Sequence, residues 1–230
     1  MDVLIAGARG SVAPSGPEFV RYGTATSCVA LAHNGAAPCL VLDAGTGLLG
    51  LSRHLGGAPF HGTIILGHLH WDHTQGLPFF AAGRHVDSDV TVLVPTADDP
   101  VEVLARAMGP PHFPIRPDEL SGGWRFGSIG EGQWEIEGFS VTARVIPHLD
   151  SVTLGLRVSD GTSTLAYLSD HRPLAIGPGP EGLGTYHDAA MALADGADVL
   201  IHDAQFTAPE LPDRSYLGHS AADYAVGLGE

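Results

Sequence analysis

The sequence predicts an α/β protein built from two mixed β-sheets rather than a single parallel sheet. Three observations carry that reading. In the first half, short apolar runs alternate with helical patterns. In the second half, four strand-like runs follow one another with tight turn signals between them. The length of 230 residues, 44% of them hydrophobic, suits one domain over 1–230 with a substantial core.

Taken in order, residues 3–6, 28–31, 40–42 and 63–66 read as buried strands bounded by Gly, Pro and Asn. Helical spacing covers 48–55 and 74–82, and a strand at 90–94 precedes a helix at 100–108. Runs at 134–136, 139–145, 152–158 and 163–168 form an antiparallel meander, with turns at Glu137-Gly138 and Asp160-Gly161. A helix at 187–193, a strand at 199–201 and a helix at 221–226 close the chain. The stretches 109–123 and 173–184, rich in Pro and Gly, read as surface or lid loops within the domain.

Composition excludes several function classes. All 11 basic residues are arginine, so lysine Schiff-base chemistry and a P-loop lysine are ruled out. A net charge of −15 argues against wrapping a long nucleic acid backbone. Two cysteines, Cys28 and Cys39, are too few for a disulfide framework or a four-cysteine zinc site. The chain opens directly in a strand-like run with no basic region before it, and no apolar stretch approaches a membrane span. It therefore reads as cytoplasmic. The 13 histidines, outnumbering the 11 cations, point to metal.

The strongest chemical signal is His68-Leu69-His70-Trp71-Asp72-His73, directly after the strand at 63–66. In extended backbone His68 and His70 share a face. Asp72 and His73 follow where the chain turns into the helix expected from Thr74. Three imidazoles and a carboxylate at one strand end suit zinc or a similar first-row ion. A surface cluster of histidines without metal is the rival reading, and four clustered ligand types weigh against it.

These residues resemble the HxHxDH signature of the metallo-β-lactamase fold, and later positions supply the rest of that pattern in order. His148, after Val145-Ile146-Pro147, resembles the third histidine of the first metal site. Asp170, closing Ala166-Tyr167-Leu168-Ser169-Asp170, resembles the aspartate shared by two metals, and His219 in Gly218-His219-Ser220 the last ligand. The opening Gly7-Ala8-Arg9-Gly10-Ser11, Arg21 with Ser27-Cys28, and the Asp43-Ala44-Gly45-Thr46-Gly47 turn are similar to the branch holding ribonuclease Z and PhnP-type phosphodiesterases. So is Ala197 through Ala204, with Asp203 where glutamate is usual. The resemblance implies an αββα sandwich of two mixed sheets and two divalent ions, zinc first and manganese or iron as substitutes. One ion would rest on His68, His70 and His148, the other on Asp72, His73 and His219, with Asp170 between them. It further implies attack by a metal-bridged hydroxide on a small or cyclic phosphodiester, with Asp72 and His202 as catalytic residues and His202 donating the proton to the leaving group.

Two departures from that branch narrow the reading. The tRNA-binding arm of short bacterial ribonuclease Z falls between the third histidine and the shared aspartate. Here that interval is barely a hairpin, which with the acidic charge disfavours tRNA processing. The sequence also stops at Glu230, where the family adds a last strand. This is read as a naturally short or truncated end, whose open sheet edge a second copy would cover as a homodimer. His112 and Phe113, in the proline-rich loop, and His171, beside Asp170, are the substrate-side candidates. His33, His54, His61, His85 and His187 read as surface or packing residues. The rival functions are an acyl-bond hydrolase acting on a lactone or thioester, and a metal-binding protein without turnover.

Overall fold

Strand β1 (Asp2–Gly7) leads a six-stranded sheet that occupies the first of two compact units, residues 1–129. The computed structural model describes residues 1–149, 151–177, 179 and 182–230. The sheet runs β1, β2 (Cys28–Ala32), β3 (Leu40–Leu42), β4 (His61–Ile65), β5 (Asp89–Val94) and β6 (Gly123–Ser128) in spatial as in chain order. The first two pairings are antiparallel and the last three parallel, so the sheet is mixed. β2 and β3 are apolar and buried at every position, the mark of strands covered on both faces.

Helix α1 (Gly47–His54) buries Leu48 and Leu51, three residues apart and so on one face. These join Val41, Phe60, Ile64, Phe80 and Val92 in the core of the unit. Helix α3 (Pro100–Ala105) starts where its sequence says it should. Asp99 accepts the N–H groups of Val101 and Glu102, and Pro100 takes the first helical position, where no N–H is needed.

The second unit, residues 130–230, carries a five-stranded mixed sheet ordered β11-β10-β9-β8-β7. Its strands are β7 (Gly132–Ile136), β8 (Phe139–Val145), β9 (Leu154–Ser159), β10 (Thr164–Leu168) and β11 (Val199–His202). The expected meander is present as three antiparallel pairings, and β11 adds to β10 in parallel. At the β7–β8 turn Glu137 and Gly138 both have positive φ, 52° and 78°, which matches the twist of a two-residue hairpin. Helix α4 (Asp188–Ala194) packs Ala190 and Leu193 onto Ile146, Ala166 and Leu168. Helices α5 (Leu211–Arg214) and α6 (Ala222–Gly229) bring Leu211 and Tyr224 into a second small core with Phe206.

Three local expectations are corrected. The helix expected over 74–82 is a single turn, α2 (Trp71–Thr74), followed by a separate 3₁₀ turn at Leu77–Phe79. Pro78 cannot continue an α-helix, and the preceding sequence is free to coil earlier. β6 and α5 were not expected at all. In β6 glycines at 123 and 127 interrupt the apolar alternation that Trp124 and Phe126 supply. Within the expected loop 173–184, residues 178, 180 and 181 lie outside the described residues, and the described ones form no strand.

Candidate metal centre

In the first unit the parallel pairing of β3 and β4 sets Leu42 beside Ile65, so the residues that follow both strands emerge together. Asp43 leaves β3 with φ of 62° and donates its own N–H to the Ile65 carbonyl at 2.9 Å. Its fully buried carboxylate accepts three donors: the Gly67 N–H at 2.7 Å, the Ser27 hydroxyl at 3.0 Å and His73 Nδ1 at 2.7 Å. A carboxylate only accepts, so His73 carries its proton on Nδ1 and presents a lone pair at Nε2. That Nε2 lies 3.5 Å from Asp72 Oδ2, which also accepts the Ser11 N–H at 2.6 Å. His68 Nε2 and His70 Nδ1 are 2.9 Å apart.

Backbone approaches nearby leave no room for side chains. A Cβ on Gly45 would run into the Asp72 carbonyl and Thr26 Oγ1, and one on Gly76 into the Gly45 carbonyl. The Asp-x-Gly turn is thus a seat for α2, the helical turn that carries Asp72 and His73. Both had been expected just before the helix; both lie inside it.

The second unit repeats the device. β10 and β11 run parallel with Leu168 beside His202, so Asp170, His171 and Asp203 follow neighbouring strand ends. The Asp203 N–H donates to the Leu168 carbonyl at 2.9 Å. Its buried carboxylate accepts His219 Nδ1 at 2.6 Å, the His171 N–H at 3.2 Å and the Gln205 N–H at 3.0 Å. His148 donates Nδ1 to the Gly218 carbonyl at 2.7 Å and holds Nε2 3.3 Å from Asp170 Oδ2. The ligand atoms of Asp170, Asp203 and His219 all lie within 4.8 Å of one another.

These contacts test whether the residues suit a cation. His73, His148 and His219 each have Nδ1 committed as a donor, two to carboxylates and one to a carbonyl. Each is thereby held in the tautomer whose Nε2 can ligate. Neutral imidazoles and carboxylates, mostly buried, are the donor set of zinc and its first-row neighbours. In each unit these residues suit a divalent cation.

In the second unit His202 and His171 form a pair beside Asp203. His202 Nδ1 donates to the Asp203 carbonyl at 2.6 Å, which leaves its Nε2 as acceptor for His171 Nδ1 at 2.9 Å. Burial is the main cause that lowers both imidazoles from their ordinary value, His171 to about 2, and neighbouring His202 adds to the latter shift. His171 is wholly buried, and its ring lies 5.7 Å from that of Tyr224. His112 and Phe113 line an apolar pocket of the first unit. Asp43 and Asp203 were seen in the sequence only as motif positions. Asp43's grip on His73 depends on the β3–β4 pairing and Asp203's grip on His219 on the loop leading into α6, neither of which spacing displays.

The sequence profile of the beta-lactamase superfamily domain matches residues 39–228. No curated protein matches the sequence. Among solved structures, the chain is similar to the metallo-β-lactamase fold protein YhfI from Bacillus subtilis, at 20% identity and a TM-score of 0.68, covering 95% of this chain and 77% of that one. It is similar to the short form of human tRNase Z (ELAC1), again at 20% identity and a TM-score of 0.68, over 99% of this chain and 87% of that one. A diphosphatase from the PhnP family gives 18% identity and a TM-score of 0.59, over 88% and 68% of the two chains. Two mixed sheets bearing helices are what that fold class requires.

Proposed function

Because this chain belongs to the β-lactamase superfamily, a superfamily of hydrolases, we propose that it is a metal-dependent hydrolase of small phosphodiesters. His68, His70 and His148 would hold one divalent ion and Asp72, His73 and His219 a second, with Asp170 shared. Zinc is the first choice, manganese or iron the substitutes. Bound ions would supply Lewis acidity and a water acidified to near neutral pH. The chain's own residues supply orientation and proton handling. Asp43 and Asp203 keep His73 and His219 in the ligating tautomer. His202, tied at Nδ1 to a carbonyl, can exchange a proton only at Nε2, the atom that accepts from His171. Once that contact opens and Nε2 takes up a proton from solvent, the imidazolium would pass it to a departing alkoxide and return to its neutral form.

The observation that carries the small-substrate reading is the interval from His148 to Asp170. Its described residues form the β9–β10 hairpin and short connections, leaving no arm to grip a long RNA. The net charge of −15 further slows capture of long polyanions. Two of the similar structures, a tRNase and a diphosphatase, carry names of phosphate-bond chemistry, which supports the choice of phosphoryl over acyl substrates.

The test is hydrolysis of bis(p-nitrophenyl) phosphate by zinc- or manganese-loaded protein, with Asp170→Ala as control and a lactone and a thioester assayed in parallel. Turnover of the diester that vanishes in Asp170→Ala is the expected result. Turnover of the lactone or thioester alone would overturn the diesterase reading in favour of acyl-bond hydrolysis. Bound metal without any product would make the chain a binding protein.

A further inference from the structure

Helix α2 has two sides. Asp72 and His73 belong to the candidate ligand set, whereas Trp71 and Thr74, with Gln75 just after the helix, line a pocket of about 210 Å³. The pocket lies wholly within the first unit. Its remaining walls come from Leu69, from the Leu77–Phe79 turn, from α3 and the turn after it, and from the His112-Phe113 loop. Leu69 and Trp71 alternate in sequence with His68, His70 and Asp72, so the wall begins one residue from the candidate ligands.

The lining is unusual for this chain. No Asp, Glu or Arg contributes to it, although the protein holds 26 acidic residues. Its polar groups are confined to uncharged side chains and His112. Aromatic rings dominate the open side: Phe79 and Phe113 meet edge to face with centroids 5.9 Å apart, and Trp71 and Phe79 remain 65% and 55% exposed. Large rings left half in water beside a site of buried carboxylates and imidazoles need a reason, since covering them would stabilise the protein.

We propose that this pocket receives an uncharged aromatic arm of the substrate, the ester group that stays attached while the bond at the metal centre is cleaved. This rests on the hydrolase reading above and narrows its substrate class to diesters with one aryl or similarly flat apolar substituent. An aryl ring laid against Trp71 and the Phe79–Phe113 pair has ring partners on more than one side. A second phosphate would find no guanidinium or ammonium partner there.

Two measurements test it separately from catalysis. Binding of 1-naphthol to the metal-free full-length chain is followed by tryptophan fluorescence, in wild type, Phe79→Ala and Ala107→Trp. Ala107 is an exposed lining residue, so a larger side chain there fills the pocket without entering the core. Saturable binding that weakens in Phe79→Ala and disappears in Ala107→Trp is expected. Absent saturation, or binding untouched by Ala107→Trp, overturns the proposal whatever the enzyme hydrolyses. With the metal-loaded protein, kcat/KM is then compared for 1-naphthyl p-nitrophenyl phosphate and methyl p-nitrophenyl phosphate. A preference of about tenfold or more for the naphthyl ester, collapsing in Ala107→Trp, is expected; equal values in wild type overturn the proposed arm. If naphthol binds as expected and neither ester is hydrolysed, the diesterase reading fails while the pocket stands, and aryl lactones take the place of the diesters.

Discussion

Replacing Asp43 with asparagine separates orientation from folding. The side chain is isosteric, and asparagine accepts the left-handed backbone that position 43 adopts at φ of 62°. The amide oxygen can still take the Gly67 N–H, now 2.7 Å from Asp43 Oδ1. The amide nitrogen then replaces Oδ2, the atom that faces both His73 Nδ1 at 2.7 Å and the Ser27 hydroxyl at 3.0 Å. An NH₂ group cannot accept from Nδ1–H. His73 must either lose the contact or move its proton to Nε2, where the ligating lone pair was. A lost carboxylate partner of this kind typically weakens a metal site by about 10- to 100-fold, or about 1.4 to 2.7 kcal/mol. Stability of the metal-free protein falls less than in Asp43→Ala, which strands three buried donors at about 1 to 3 kcal/mol each. Zinc affinity is read by competition with a chromophoric chelator, and stability by urea unfolding of the metal-free chain. An Asp43→Asn protein that binds zinc within a factor of two of wild type would refute the tautomer argument, whatever its stability.

Three further outcomes follow from the same geometry. Asp203→Asn is expected to weaken metal binding through His219 on the same scale of about 10- to 100-fold, and chelator competition on that variant checks it. Gly45→Ala drives a Cβ into the Asp72 carbonyl and Thr26, so α2 must shift. A loss of about 2 to 3 kcal/mol in urea, together with weaker zinc binding, is expected. Burial, reinforced by the nearby Asp43 charge, pushes the Cys28 thiol well above its ordinary range. The unfolded thiol ionises near about pH 8.5 while the folded one stays protonated, so stability is full below that pH. Above it stability declines by at most about 1.4 kcal/mol per pH unit. Unfolding midpoints at pH 8 and 10 should show a steeper loss in wild type than in Cys28→Ala, and a thiol reagent should reach Cys28 only on unfolding.

The sheets were legible because buried strands such as 28–31 and 40–42 are continuous apolar runs between Gly, Pro and Asn, and because Glu137-Gly138 can hardly be anything but a tight turn. β6 escaped because its glycines dilute the alternation. The start of α2 was misplaced because Trp71 through His73 has no capping residue to mark it; His70 precedes the helix without a side-chain cap. His68, His70, Asp72 and His73 were readable from spacing at one strand end. Asp43 and Asp203 were not, because each meets its imidazole only in the folded chain, 30 residues away through the β3–β4 pairing in one case and 16 away, from the loop before α6, in the other. His112 and Phe113 could be suspected from a proline-rich loop, but only the fold reveals that they share a pocket with Trp71 and Phe79.

Fixing the Asp43 carboxylate by strand pairing also decides where the chain can accept extra residues. Asp43 follows β3 and His73 follows β4, and the β3–β4 ladder, with the Ala44 N–H donating to the His73 carbonyl at 2.8 Å, sets their spacing. Added residues at the exposed glycines Gly56 and Gly57, where even a side chain would meet nothing, lengthen the connection without displacing either partner. A single residue added within Leu40–Leu42 or His61–Ile65 has the opposite effect. It slides one strand end by about 3.3 Å and turns every following side chain to the other face of the sheet. Diversification of this protein, natural or engineered, therefore has wide latitude in the connections and almost none in these two short strands.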